Sequence, residues 1–342
     1  AGARPGPACY GMGGPLTITD VNLLAGRLDP TSMPLPIDMD AAERALSRIL
    51  RLVNRSGDRK IARDDLLLGA LEIANETMAG AIRVVSASRG FDPADSSLVA
   101  FGGAGGQHAI ALAGSLSINR VIIPSEAGLL SARGLATTAI QQVVNKSVLQ
   151  VMDGSIVRSD VLEPIEEDCL RRLVEAAGRS DHVRVARRIG SFRILGQDGV
   201  VQIEIDKTGS LREPFQLVYA RIHGHEPPEG SVEIESIRVI GEVYEDHADT
   251  MEQPCEQART SCERSMSMLT ADGPVDARVL DRDVIAGEAV SGPMIIIDTH
   301  ATTVIEPGWE AFMDEHGSII AEKVKVPCPE SRPLSPVAVE LQ

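Results

Sequence analysis

The chain has 342 residues, 43% hydrophobic but only 3% aromatic, and a formal net charge of −16. That length gives room for about two domains, and the scarcity of aromatics leaves Leu, Ile, Val and Ala to build the cores. The acidic balance argues against nucleic acid as a partner, because an acidic surface repels phosphates, and no apolar run approaches the roughly 18 residues that span a bilayer.

Residues 1–20, AGARPGPACYGMGGPLTITD, carry no start methionine and no secretory leader, and they read as an internal segment of a longer protein. Gly and Pro make residues 1–36 a loop with one short element around LTITDVNLLAGRL, where Asp20 and Asn22 cap or line the loop. IDMDAAERALSRILRLV (37–53) predicts a helix. Ala42, Ala45, Leu46, Ile49 and Val53 recur at helical spacing, and Asp38 or Asp40 caps it, with Glu43 three residues after Asp40. ARDDLLLGALEIANETMAGAIRVVSASRG (62–90) predicts the clearest helix, with a stripe of Leu67, Leu71, Ala74, Met78, Ala81 and Val85. Asp64 sits at its N-cap position and Gly90 at a left-handed C-cap.

The next segment reads as a strand (97–101), a glycine turn (102–106), a helix (107–115), a strand (120–123) and a helix near 127–139, an α/β unit. After about residue 145 the texture changes. A helix at 162–178 is followed by alternating, β-rich segments with one or two helices in all, including a hairpin around LGQDG. Charge changes there too: residues 1–150 hold 14 Lys+Arg and 13 Asp+Glu, a balance of +1, and the remainder carries −17. The expected division is 1–148, 149–325 and a disordered, proline-bearing tail over 326–342. The five cysteines, Cys9, Cys169, Cys255, Cys262 and Cys328, form no CxxC pair and read as reduced thiols of a cytoplasmic protein.

FGGAGGQHA (101–109) is the strongest chemical signal. Glycines between a strand and a helix let a ligand approach the backbone, and a helix start offers free N–H groups to an anion. The loop is neither a Walker loop nor a well-spaced GxGxxG, so nucleotide contact and a tight packing turn both stay open. His108 is a ligand contact or a capping residue. PSEAGLLSARGLA (124–136) is a small-residue helix for packing or a hinge. His223, His225 and Glu226 of HGHE have poor metal-site spacing, His300 reads as a loop residue, and no metal site or local catalytic triad is expected.

Four segments together, GARPGPACYGMGGPLTITDVNLLAGRLDP, IANETMAGAIRVVSASRGFDP, LVAFGGAGGQHA and GPMIIIDTHATTVIEPGW, resemble the hydantoinase A / 5-oxoprolinase family in order and spacing over residues 1–323. The GGQH form, Gly105 to His108, is closer to the oxoprolinase type than to GGPLH. The resemblance implies an α/β fold: a partial actin/Hsp70-like ATPase lobe followed by a β-rich α+β C-terminal domain. It implies ATP and Mg as cofactors, with Gly102, Gly103, Ala104, Gly105, Gly106, Gln107 and His108 on the adenosine side. Its activity would be ATP-dependent opening of a cyclic amide, completed with a hydantoinase B-type partner on a small-molecule substrate.

The family's Asp-x-Gly-Gly-Thr phosphate loops do not occur in this sequence. They belong to a hydantoinase A N-terminal half, which would also hold the metal, so the chain alone is expected not to turn over ATP. The catalytic residues stay unassigned. A ketone carboxylase subunit and a non-catalytic assembly module remain the alternatives.

Overall fold

The computed structural model describes residues 2, 4–57, 60–152, 157, 159–178, 182–206, 212–228, 231–244, 264–285, 287 and 289–324. Cys255, Cys262, Cys328 and the 326–342 tail lie outside the described residues. In chain order the elements are α1 (Ile18–Leu24), α2 (Met39–Ser56), α3 (Arg63–Ser88), β1 (Leu98–Val99), α4 (Gly105–Ser115), β2 (Arg120–Ile123), α5 (Leu130–Thr137), β3 (Gln141–Val151) and α6 (Ser159–Ala177). Then follow β4 (Val183–Ile194), β5 (Val201–Glu204), α7 (Arg212–His223), β6 (Val232–Val243), β7 (Arg264–Thr270) and β8 (Gly273–Asp281). The last are β9 (Val290–Ser291), β10 (Met294–Ile297), β11 (Thr302–Ile305), β12 (Trp309–Met313) and β13 (Ile319–Lys323). No helix among the described residues is long and apolar enough to cross a membrane.

The chain divides into two compact units, each discontinuous in sequence: 1–79 with 96–129 and 259–342, and 80–95 with 130–258. This differs from a sequential split at 148, a position inside β3. Strand pairing is the reason. β13 pairs with β2, Ile320 opposite Ile122, so the last third of the chain completes a sheet that β1 and β2 begin.

The first unit holds two sheets, ordered β1-β2-β13-β12-β9 and β11-β10-β8-β7. β1 and β2 are parallel, as are β8 and β10. Met268, Ala277, Val279, Ile295 and Val304 pack one core, and Val21, Leu46, Leu67, Leu71 and Leu269 another. Asp38, not Asp40, caps α2: its carboxylate accepts from the Ala41 N–H at 2.8 Å. α3 begins one residue before Asp64, and Asp65 accepts from the Ala62 N–H at 3.2 Å. Gly90 has φ +69°, the left-handed conformation expected of it. Of the predicted stripe, Leu67 and Leu71 are buried, whereas Val85 is exposed.

α1 is anchored by a fully buried carboxylate. Asp20 accepts from the N–H groups of Ala8 (3.1 Å), Cys9 (2.7 Å) and Thr17 (2.7 Å) and from the Thr17 hydroxyl (2.9 Å). It folds the glycine- and proline-rich loop onto the helix start. Burial, with Asp20 as neighbour, pushes the Cys9 thiol up to about 12, so it stays protonated and unreactive.

The second unit is an antiparallel sheet, β3-β6-β4-β5, covered by helices. Leu162, Ile165 and Cys169 of α6 and Phe215 and Tyr219 of α7 pack on Phe192, Val201, Ile203, Ile237 and Val239. β4 and β5 form the hairpin expected around LGQDG, Phe192 facing Val201. Cross-strand pairs such as Arg184–Glu242 and Arg193–Glu233 lie along this sheet.

Candidate functional site

The glycine turn after β1 is built by backbone hydrogen bonds. Gly102 has φ +87°, a conformation glycine adopts without strain, and its N–H donates to Ala127 O at 2.7 Å. The Gly105 N–H returns to Gly102 O at 3.2 Å, and α4 starts there. α4 then lies directly on β11. A Cβ at Gly106 would fall 2.8 Å from Thr302 O, and the Thr302 N–H donates to Gly103 O at 3.3 Å. Gly128 presses equally close to the His300 backbone.

The β10–β11 loop is held from outside by Arg282. Its Nη1 pairs with Asp298 at 2.9 Å, and Nη2 donates to Gly317 O and, at 3.4 Å, to Ile123 O. The other Asp298 oxygen accepts from the Thr299 N–H at 2.6 Å, so that carboxylate is committed to the loop.

Between this loop, the glycine turn and the segment 28–34 lies a cavity of about 460 Å³. Tyr10, Leu28, Met33 and Pro34 give it an apolar wall; Thr19, Ser32, Gln107, Thr299 and His300 supply polar groups. Gly103, Ala104 and Gly128 bring backbone to its surface, and among the described residues no Lys or Arg lines it.

The seven residues expected at a ligand therefore divide. Gly103, Ala104 and Gln107 line the cavity. Gly102 and Gly105 shape the turn. Gly106 and His108 face protein: Gly106 meets β11, and the buried His108 imidazole meets two amides. His108 Nδ1 is 2.8 Å from Asn75 Oδ1, and Nε2 is 3.3 Å from Asn22 Nδ2. A neutral ring protonated at Nδ1 satisfies both contacts. Burial first, and Arg27 second, hold its pKa below the ordinary histidine value. Arg27 itself donates to Gln107 O at 3.2 Å and pairs with Glu306 at 2.6 Å. Asn22 Oδ1 and Arg27 Nε have no partner among the described residues.

His300 is an exposed loop residue, as its sequence position implies, yet it also lines the cavity. Tyr10, Ser32, Met33 and Thr299 were not anticipated. Their only sequence cue is adjacency to the glycine-rich and DTH segments. His223 ends α7 and His225 follows Gly224, with both rings beside Tyr219.

Residues 1–143 match the sequence model of the Hydantoinase/oxoprolinase family. The chain is 30% identical to 5-oxoprolinase PfmaA of Pestalotiopsis fici, over 92% of this chain and 26% of that protein. The crystal structure of ATP-dependent caprolactamase from Pseudomonas jessenii superposes with a TM-score of 0.72 at 25% identity, covering 94% of this chain and 49% of that one. A nucleotide-free acetone carboxylase structure superposes with a TM-score of 0.64 over 93% of this chain and 48% of that one; at 20% identity this likeness concerns the fold alone. The chain thus spans between about a quarter and half the length of the curated relatives it matches. Its mixed α/β architecture superposes on both of these structures. Matched motifs, similar sequences and superposed fold agree in likening the chain to the hydantoinase/oxoprolinase family, whose model matches residues 1–143.

Proposed function

We propose that the chain supplies the nucleoside-facing part of an ATP-dependent hydrolase of cyclic amides, of the 5-oxoprolinase kind. The observation that carries this is the make-up of the 460 Å³ cavity beside the glycine turn. Its apolar wall suits a flat base. Its hydroxyl and amide groups suit ribose, and Gly103 and Gly128 allow close approach. With no Lys or Arg among the described residues that line it, the cavity fits a nucleoside better than a triphosphate.

On this reading the phosphate loops lie in sequence outside the present chain, as the covered share of the relatives allows. On the same reading the chain's own part is binding and orientation; among the described residues no group of three or more His, Cys, Asp or Glu could hold a metal ion. ATP, when bound, supplies a phosphoryl group that makes an amide oxygen a better leaving group. Gly103, Ala104 and Gln107 contact the nucleoside; Gly102 and Gly105 hold the turn that presents them; Gly106 and His108 fix α4 beneath it. Relatives named 5-oxoprolinase and caprolactamase favour a cyclic amide as substrate. A hydantoinase B-type partner and an N-terminal hydantoinase A half complete the enzyme.

The test is adenosine binding by calorimetry to the chain and to Thr299→Trp, which fills the cavity from an exposed loop. The reading expects binding that weakens at least about tenfold at unchanged melting temperature. No binding, or equal binding by both, refutes it.

A further inference from the structure

A second cavity, of about 340 Å³, lies on the other side of the 3-10 turn Ala8–Tyr10: Ala8 lines this one and Tyr10 the first. Its wall is the glycine loop Gly11–Gly14 and one face of α2, from which Ala41, Arg44, Ala45 and Arg48 point in. Gly11 and Gly13 have φ +71° and +76°, so this side of the cavity is bare backbone. Two guanidiniums and one carboxylate make up its charge. The carboxylate, Asp38, is engaged: one oxygen caps α2 at Ala41 N, and the other faces Arg44 at 3.6 Å. Arg48 has no ion pair or hydrogen bond among the described residues.

Like Arg51, Arg55, Arg238 and Arg278, it has no ion pair among the described residues, although carboxylates are plentiful, 49 acidic residues against 33 basic ones, and Arg27, Arg63, Arg184, Arg187, Arg188, Arg193, Arg264 and Arg282 are all ion-paired. Arg48 instead stands over a concave, glycine-walled space.

We propose that this cavity binds the oxyanion group, phosphoryl or carboxylate, of a small-molecule ligand, with Arg48 as the principal contact and Arg44 as the second. A guanidinium presents paired N–H donors that match two oxygens of either group. Arg44 can turn from Asp38 at little cost, because both side chains are substantially exposed and such a pair is weak. The proposal does not rest on the nucleoside reading of the neighbouring cavity.

The experiment titrates the full chain with inorganic phosphate and, separately, with acetate at constant ionic strength, and follows the arginine Nε–H resonances. One of the two probes should move Arg44 and Arg48 saturably, and which one does so identifies the source group. Arg48→Ala should weaken that binding about tenfold, whereas Arg51→Ala, one turn along the helix and outside the cavity, should leave it unchanged. Unmoved Arg44 and Arg48 signals with both probes overturn the proposal. So does equal weakening by Arg51→Ala, which would mean diffuse charge attraction, and so does undiminished binding by Arg48→Ala.

Discussion

Asn75 Oδ1 lies 2.8 Å from His108 Nδ1, which joins α3 to α4 under the glycine turn through a neutral imidazole. Burial and Arg27 depress the folded-state pKa, so protonation is harder in the folded protein than in the unfolded chain. The stabilising contribution of the neutral ring is present above the unfolded value of 6.5 and is lost as pH falls through the lower folded value. Urea unfolding at neutral and mildly acidic pH should show a larger acid loss of stability for the native chain than for His108→Gln. Equal losses would mean that His108 is not buried neutral.

Gly106→Ala should destabilise the first unit by about 2 kcal/mol or more, because the new Cβ would meet Thr302 and Thr303 backbone. Gly114→Ala, on the same helix with nothing within 4 Å, should stabilise by about 0.5–1 kcal/mol. Thermal melts of the two variants should move in opposite directions.

Asp20→Asn keeps one acceptor oxygen and puts an amide donor among three N–H groups and a hydroxyl. The expected cost is about 2–3 kcal/mol, read from chemical denaturation. A loss below half a kcal/mol would show that the loop before α1 does not depend on this carboxylate.

The chain alone should release no phosphate from ATP above background, because among the described residues no Lys or Arg lines its cavity to hold the phosphates. A turnover assay checks this, and the measure of success is restored activity when the relatives' N-terminal half is supplied.

Local features were legible in the sequence. The apolar spacing of α2, the Asp38 cap and the strand–glycine–helix run before Gln107 all follow from residues a few positions apart. What escaped depends on distant pairing. Gly106 looks like a ligand glycine, yet its neighbour is Thr303 of β11. Arg27 and Glu306 meet across 279 positions of chain. β3 is mostly exposed along its length, so it carries little alternation to mark it, and the expected boundary at 148 fell inside it. Among the residues of α7 whose burial is described, Phe215 and Tyr219 are the buried i, i+4 pair, too short a stripe to locate a helix.

The central claim is that a nucleoside occupies the cavity between the glycine turn and the β10–β11 loop. Photolabelling of the chain with azidoadenosine, followed by peptide mapping, tests it most directly. The account predicts saturable labelling, displaced by adenosine, on peptides containing Tyr10, Met33 or His300. Saturable labelling confined to the second unit, or none that adenosine displaces, would contradict it.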